Sequence, residues 1–204
     1  MKKIKVIDYI ASLKMRDHDR IRDKILFTIE NSFPDNLIQK DNYYIDSISR
    51  LDWNQSTDFE RPWVKILLPN FMETIKEFLE EGAYKGDDWK GIILNDFWFQ
   101  QYKKGDTHGW HAHRDHFTGV YYLEYPKGCS KTEICCPYNL KIMKIDASEG
   151  DIIVFPSHWI HRGPPNKSKN RKTIVSFNFS LDLNYKFNTD LITSRNVGKP
   201  YILF

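Results

Sequence analysis

Residues 105–126 read GDTHGWHAHRDHFTGVYYLEYP. His108, His111, His113 and His116 fall within nine residues, and the run from Phe117 to Tyr125 that follows is rich in aromatic and β-branched side chains. Such side chains pack well on a pleated surface, so this run is read as a strand. Gly109 to His113 is read as another. On a strand, residues two apart point the same way. His111, His113 and Asp115 therefore share a face if that strand runs far enough.

The strand texture extends in both directions from this stretch. Upstream, Ile92 to Tyr102 is a strand closed by the turn Lys104-Gly105-Asp106. Downstream lie Leu140 to Ile145, Asp151 to Phe155, Trp159 to Arg162 and Thr173 to Leu181. Turn residues separate them at Pro126-Lys127-Gly128, Glu149-Gly150-Asp151 and Gly163-Pro164-Pro165. Seven short strands at this spacing predict a sandwich or barrel. Before Asp88 the pattern is helical and irregular. Ile21, Ile25, Leu26 and Ile29 recur at helical spacing after Asp17 or Asp19 and stop near Asn31, ahead of Pro34. A second helix starts near Pro62 or Asn70 and carries Phe71, Ile75, Phe78 and Leu79, closed by Gly82 and Gly86. The expectation is one mainly β domain over 1–204 with flanking helices. It consists of a helical and irregular part (1–88), a core (89–182) and a C-terminal extension (183–204).

Six of the seven histidines lie between 108 and 161. The segment GDIIVFPSHWIHRGPP, residues 150–165, adds His158 and His161 to the first four. Imidazole nitrogens and a carboxylate suit iron(II), and three ligands on one triangular face leave the other positions open to substrates. In NRKTIVSFNFSL, residues 170–181, Arg171 follows His161 by ten positions and Thr173 lies two further, on the same strand face. A guanidinium clasps a carboxylate through two parallel hydrogen bonds, and a nearby hydroxyl adds a third. Lys172 is expected to face the other way.

From Phe97 to Asn178 the chain resembles the 2-oxoglutarate/Fe(II)-dependent oxygenases, in particular their prolyl-hydroxylase-like and uncharacterised bacterial and phage branches. The resemblance rests on Tyr102-Lys-Lys-Gly105, His111-Ala-His113-Arg-Asp115, Gly119-Val-Tyr-Tyr-Leu123, Gly150-Asp-Ile-Ile-Val-Phe-Pro-Ser157, His161, and Arg171-Lys-Thr173 with Ser176-Phe-Asn178. It implies a double-stranded β-helix (jelly roll) and iron(II), with 2-oxoglutarate and O2 as co-substrates. The implied reaction is hydroxylation of a C–H bond, with release of succinate and carbon dioxide. It makes His161 the distal ligand and Arg171 the anchor of the 2-oxoglutarate carboxylate. Thr173, Tyr122 and Tyr102 are its further hydrogen-bonding partners, and no catalytic residue is implied beyond the metal ligands. Two registers stay open for the first ligand pair. The literal His-x-Asp is His113-Arg-Asp115, whereas alignment on Gly105 gives His111-Ala-His113 and a ligand set without a carboxylate. His113 and His161 are common to both.

Two other readings compete: a cupin-type three-histidine dioxygenase needing no 2-oxoglutarate, and a non-catalytic jelly-roll metal-binding module. The remaining composition narrows the setting. Thirty basic and 27 acidic side chains leave a net charge of +3, which does not call for a nucleic-acid partner and does not exclude one. The apolar runs are too short for a transmembrane helix. Cys129, Cys135 and Cys136 have neither disulfide-framework nor CxxC spacing, so a cytoplasmic protein with reduced thiols is expected. The substrate, a small molecule or a protein side chain, is not legible, nor is the oligomeric state.

Overall fold

The computed structural model describes residues 9–32, 46–81, 89–183 and 201–203. Its elements are β1 (Ala11–Lys14), α1 (His18–Ser32), β2 (Arg50–Leu51), α2 (Pro62–Glu81), β3 (Trp89–Tyr102), β4 (His108–His111) and β5 (Phe117–Glu124). They continue with β6 (Glu133–Cys135), β7 (Ile142–Lys144), β8 (Asp151–Pro156), β9 (His161–Gly163), β10 (Lys172–Leu183) and β11 (Tyr201–Leu203). All seven expected strands are present within a few residues. Four short ones, β1, β2, β6 and β11, carry too little alternation to be read from sequence. Gly82 and Gly86, expected to close α2, lie outside the described residues.

The strands form two antiparallel sheets. The major sheet runs β1-β8-β5-β10-β3-β11, with β2 also paired to β3, and the minor sheet runs β4-β9-β6-β7. Both helices lie on one side of the major sheet. Ile21, Ile25, Leu26 and Ile29 of α1 and Trp63, Leu67, Phe71 and Ile75 of α2 pack in one core with Phe97, Phe99, Val175, Phe177 and Phe179. Pro62 opens α2, where its missing N–H costs nothing. Asp52 ties this helix to the sheet. Its buried carboxylate accepts from Trp63 Nε1 (3.0 Å), Phe99 N–H (2.8 Å) and the Arg61 guanidinium.

A second core lies between the sheets and contains Tyr102, Val120, Tyr122, Ile134, Ile153, Phe155, Trp159 and Ile174. The fold therefore has three layers: helices, major sheet and minor sheet. β3, β5 and β10 present one face to each core. The register pairs Lys172 with Tyr102, Ile174 with Gln100 and Ser176 with Trp98 on the face toward the minor sheet. It pairs Thr173 with Gln101, Val175 with Phe99 and Phe177 with Phe97 on the helix side. Gly119 sits where β5 is crowded by β10: a Cβ there would come within 2.2 Å of the Phe177 ring and 2.6 Å of the Ile153 carbonyl.

Candidate metal centre and carboxylate pocket

Between the sheets is a cavity lined by Trp98, Gln100, Tyr102, His108, His111, His113, Thr132, His161, Lys172 and Ser176, among others. His111 ends β4 and His161 begins β9, and the two are paired across the minor sheet. His113 lies beyond the end of β4, where its N–H donates to the Ser157 carbonyl at 2.9 Å. The His-x-His pair is thus not a simple strand alternation, because β4 stops at His111. The three rings nevertheless converge. Their centroids are 4.2 Å (His111–His161), 5.1 Å (His111–His113) and 5.2 Å (His113–His161) apart. One ring nitrogen from each lies within 4.8 Å of the others.

Hydrogen bonds orient two of these rings. His111 Nδ1 donates to the Gly109 carbonyl (2.7 Å) and His161 Nδ1 to the Trp159 carbonyl (2.9 Å), each two residues back in the chain. With Nδ1 donating, each ring keeps its lone pair on Nε2. Burial, with neighbouring imidazoles adding repulsion, holds His161 well below the usual histidine range, and burial lowers His111. Burial thus favours the uncharged form of these two rings, the form a metal requires. Three imidazole nitrogens fit a divalent first-row metal.

Asp115, the alternative to His111, is not in this group. Its carboxylate accepts from Asn95 Nδ2 at 2.5 Å and its carbonyl from the Ser157 hydroxyl. Of the two registers, the geometry brings together His111, His113 and His161. His108, which sequence reasoning left unassigned, also faces the cavity. A register shift between His108 and His111 puts both on the same side, and their rings stack with centroids 3.9 Å apart. His108 Nε2 lies 3.7 Å from Asp46, and burial keeps it well below the usual range.

The residues expected to anchor a carboxylate, Arg171 and Thr173, do not line the cavity. The Arg171 guanidinium pairs with Glu124 (2.7 Å) and Glu30, and it is about one-third exposed. The Thr173 hydroxyl is on that side too, donating to Glu124 at 2.7 Å and accepting from Gln101. Lys172, expected to face away, is the residue that lines the cavity. It is 0% exposed, donates to the Ser130 carbonyl at 3.2 Å, and sits 4.5 Å from the centroid of the Tyr102 ring. Among the described residues no carboxylate pairs with it, and burial pulls it down to about 8. The two faces of a strand alternate strictly, so a displacement of one residue exchanges them.

Tyr102 and Tyr122 are both on the cavity side. Tyr102 donates to Gln100 Oε1 (2.6 Å) and Tyr122 to the Thr132 hydroxyl (2.7 Å). Burial raises both phenols, so they remain donors at neutral pH. Lys172 could have been found from sequence. Ser176 and Asn178 share its parity, and a polar row on a central strand marks a lined cavity, whereas Arg171 and Thr173 continue into Val175, Phe177 and Phe179.

No protein-family model matches the sequence, and no curated protein matches it. Solved structures do match. A prolyl-4-hydroxylase from Pseudomonas putida superposes with a TM-score of 0.58 at 12% identity, covering 85% of this chain and 92% of its own. The viral collagen prolyl hydroxylase of Paramecium Bursaria Chlorella virus-1, in complex with 2OG, gives 0.57 at 18% identity, covering 86% and 97%. The non-haem alpha-ketoglutarate-dependent epimerase SnoN from nogalamycin biosynthesis gives 0.62 at 9%, covering 86% and 77%. The chain has the jelly-roll fold of these oxygenase structures. Among the described residues, no helix is long and apolar enough to cross a membrane.

Proposed function

We propose that this chain, which shares the jelly-roll fold of the 2-oxoglutarate/Fe(II) oxygenases, is itself an iron(II)- and 2-oxoglutarate-dependent oxygenase that hydroxylates its substrate. One observation carries the reading: a three-histidine cluster and a buried lysine with no carboxylate partner among the described residues line the same cavity. An ammonium kept charged away from water needs an anion. A dicarboxylic acid with a metal-binding 2-oxo end supplies one.

His111, His113 and His161 would hold the iron, which, when bound, would activate O2 for oxidation of a C–H bond. Lys172 would pair with the distal carboxylate of 2-oxoglutarate, and the Thr132 hydroxyl, oriented by Tyr122, lies along the same cavity. The Tyr102 ring holds the lysine ammonium over its face, which limits its rotamers. Trp98 and the sheet faces exclude water from the centre. In balance, substrate C–H, 2-oxoglutarate and O2 become substrate C–OH, succinate and carbon dioxide.

The all-histidine ligand set also favours a second reading, a dioxygenase of the cupin type in which 2-oxoglutarate has no part. Oxygen uptake by the iron-loaded protein, with and without 2-oxoglutarate, separates the two when succinate is measured alongside. Uptake coupled to succinate release supports the proposal. Uptake that ignores 2-oxoglutarate supports the second reading. His161→Ala should abolish tight iron binding in protein whose circular dichroism is unchanged. Wild-type iron content in that variant would refute the ligand assignment.

A further inference from the structure

The third ligand histidine is held differently from the other two. His113 Nδ1 lies 3.4 Å from Nδ2 of Asn178, and the same amide nitrogen donates to Asp96 Oδ2 at 3.1 Å. Asn178 is 1% exposed. Its Oδ1 is the only buried side-chain oxygen among the described residues that has no hydrogen-bond partner. An orphaned buried acceptor is costly and asks for an explanation.

The explanation lies in which ring nitrogen carries the hydrogen. An amide N–H2 facing Nδ1 makes that nitrogen an acceptor, which places the ring hydrogen on Nε2. A metal at Nε2 demands the reverse, with the hydrogen on Nδ1 and an acceptor opposite it. The amide that now presents its nitrogen holds such an acceptor unused, on the same planar group.

We propose that Asn178 is the positioning residue for His113: when the site takes its metal, the Asn178 amide turns and Oδ1 accepts from His113 Nδ1–H. The inference rests on the metal site of the proposed function. The turn replaces the bond from Asn178 to Asp96 with two facing oxygens, so the Asp96 carboxylate must swing aside while keeping the Ser56 hydroxyl at 2.9 Å, and Nδ2 takes the unpartnered place that Oδ1 leaves. The lost bond opposes metal binding and the new one favours it. Asp96 thereby sets how readily the site closes.

The test uses Zn(II) as a probe and needs no turnover. Zn(II) affinity is measured by chelator competition, and long-range 1H–15N spectra report which nitrogen of His113 bears the hydrogen. In the wild type, that hydrogen should sit on Nε2 without metal and on Nδ1 with Zn(II). Asn178→Leu should weaken Zn(II) binding 10–100-fold, the usual effect of removing a ligand's hydrogen-bond partner. The exchange Asp96→Asn with Asn178→Asp retains the pair and gives His113 a permanent acceptor, so it should bind Zn(II) at least as tightly as the wild type. This arm also guards against Asn178→Leu simply misfolding. Hydrogen on Nδ1 already in the metal-free wild type would overturn the proposal, as would an exchange variant that binds no better than Asn178→Leu. A wild type that binds no Zn(II) and no Fe(II) would overturn the metal site itself, a separate result.

Discussion

Along β10, Lys172, Ile174 and Ser176 line the cavity and Asn178 reaches His113, whereas Val175, Phe177 and Phe179 pack under the helices. Each face begins with a cation, and the two cations live in different surroundings. Arg171 is partly exposed and satisfied by two glutamates. Lys172 is fully buried, and no carboxylate pairs with it among the described residues. Residue type alone favours the arginine, since a guanidinium fork suits a carboxylate better than an ammonium does. Position favours the lysine in the proposed reading, because the arginine is already paired with Glu30 and Glu124 while the lysine lines the cavity.

The largest effect that would break or confirm this contrast is on 2-oxoglutarate binding. Lys172→Met keeps an apolar stem and removes the charge. It should weaken binding by roughly 3–5 kcal/mol, the cost of leaving one member of a buried charge pair alone. Arg171→Met should leave binding close to the wild-type value, since its ion pairs are part-exposed and such pairs contribute little. Calorimetric titration into anaerobic, manganese-loaded protein measures both. A larger loss in the arginine variant would restore the sequence-based assignment.

The fold was legible because its signals are repeated. Aromatic and β-branched runs in β3, β5, β8 and β10, and the turns between them, are read many times over, and an error at one end is corrected at the next. The three-histidine cluster was legible from crowding, as His111, His113 and His161 stand out by type. The inward face of β10 was not, because the ten-residue spacing from His161 and the resemblance that point to Arg171 do not mark which side of the strand turns toward the cavity. His108 was missed because a register shift in β4 has no sequence mark, and the choice between His111 and Asp115 required knowing where β4 ends.

A smaller effect tests why the helix-side face of β10 is fixed in place. Gly119 on β5 admits the Phe177 ring and the Ile153 carbonyl where a Cβ would stand. Gly119→Ala should destabilise the protein by about 1–3 kcal/mol, the usual cost of overpacking. Urea denaturation would show it as a lower midpoint with an unchanged slope. The double variant Gly119→Ala with Phe177→Leu should recover part of the loss if the ring is the obstacle. No recovery would point to the carbonyl, which cannot move without the ladder.

The smallest effect separates the two cations by pH. Burial brings Lys172 down to about 8, while the arginine is raised by its glutamates and stays charged throughout. The lysine's folded value lies below the ordinary one of about 10.4, so between these two pH values the unfolded chain holds a proton that the folded chain has released. Stability of the ligand-free protein should therefore rise with pH across that window, by up to about 1.4 kcal/mol per unit for this single group. Affinity for 2-oxoglutarate should move the opposite way. A carboxylate needs the ammonium, so above pH 8 binding must first take up a proton and should weaken by up to about tenfold per unit. Denaturant titrations and calorimetry at pH 7.5, 8.5 and 9.5 give both slopes, and Lys172→Met should flatten the two together. If the affinity slope survived in Lys172→Met, some other group would be reading the carboxylate. If only the stability slope disappeared, Lys172 would be a buried cation of the fold with no part in binding.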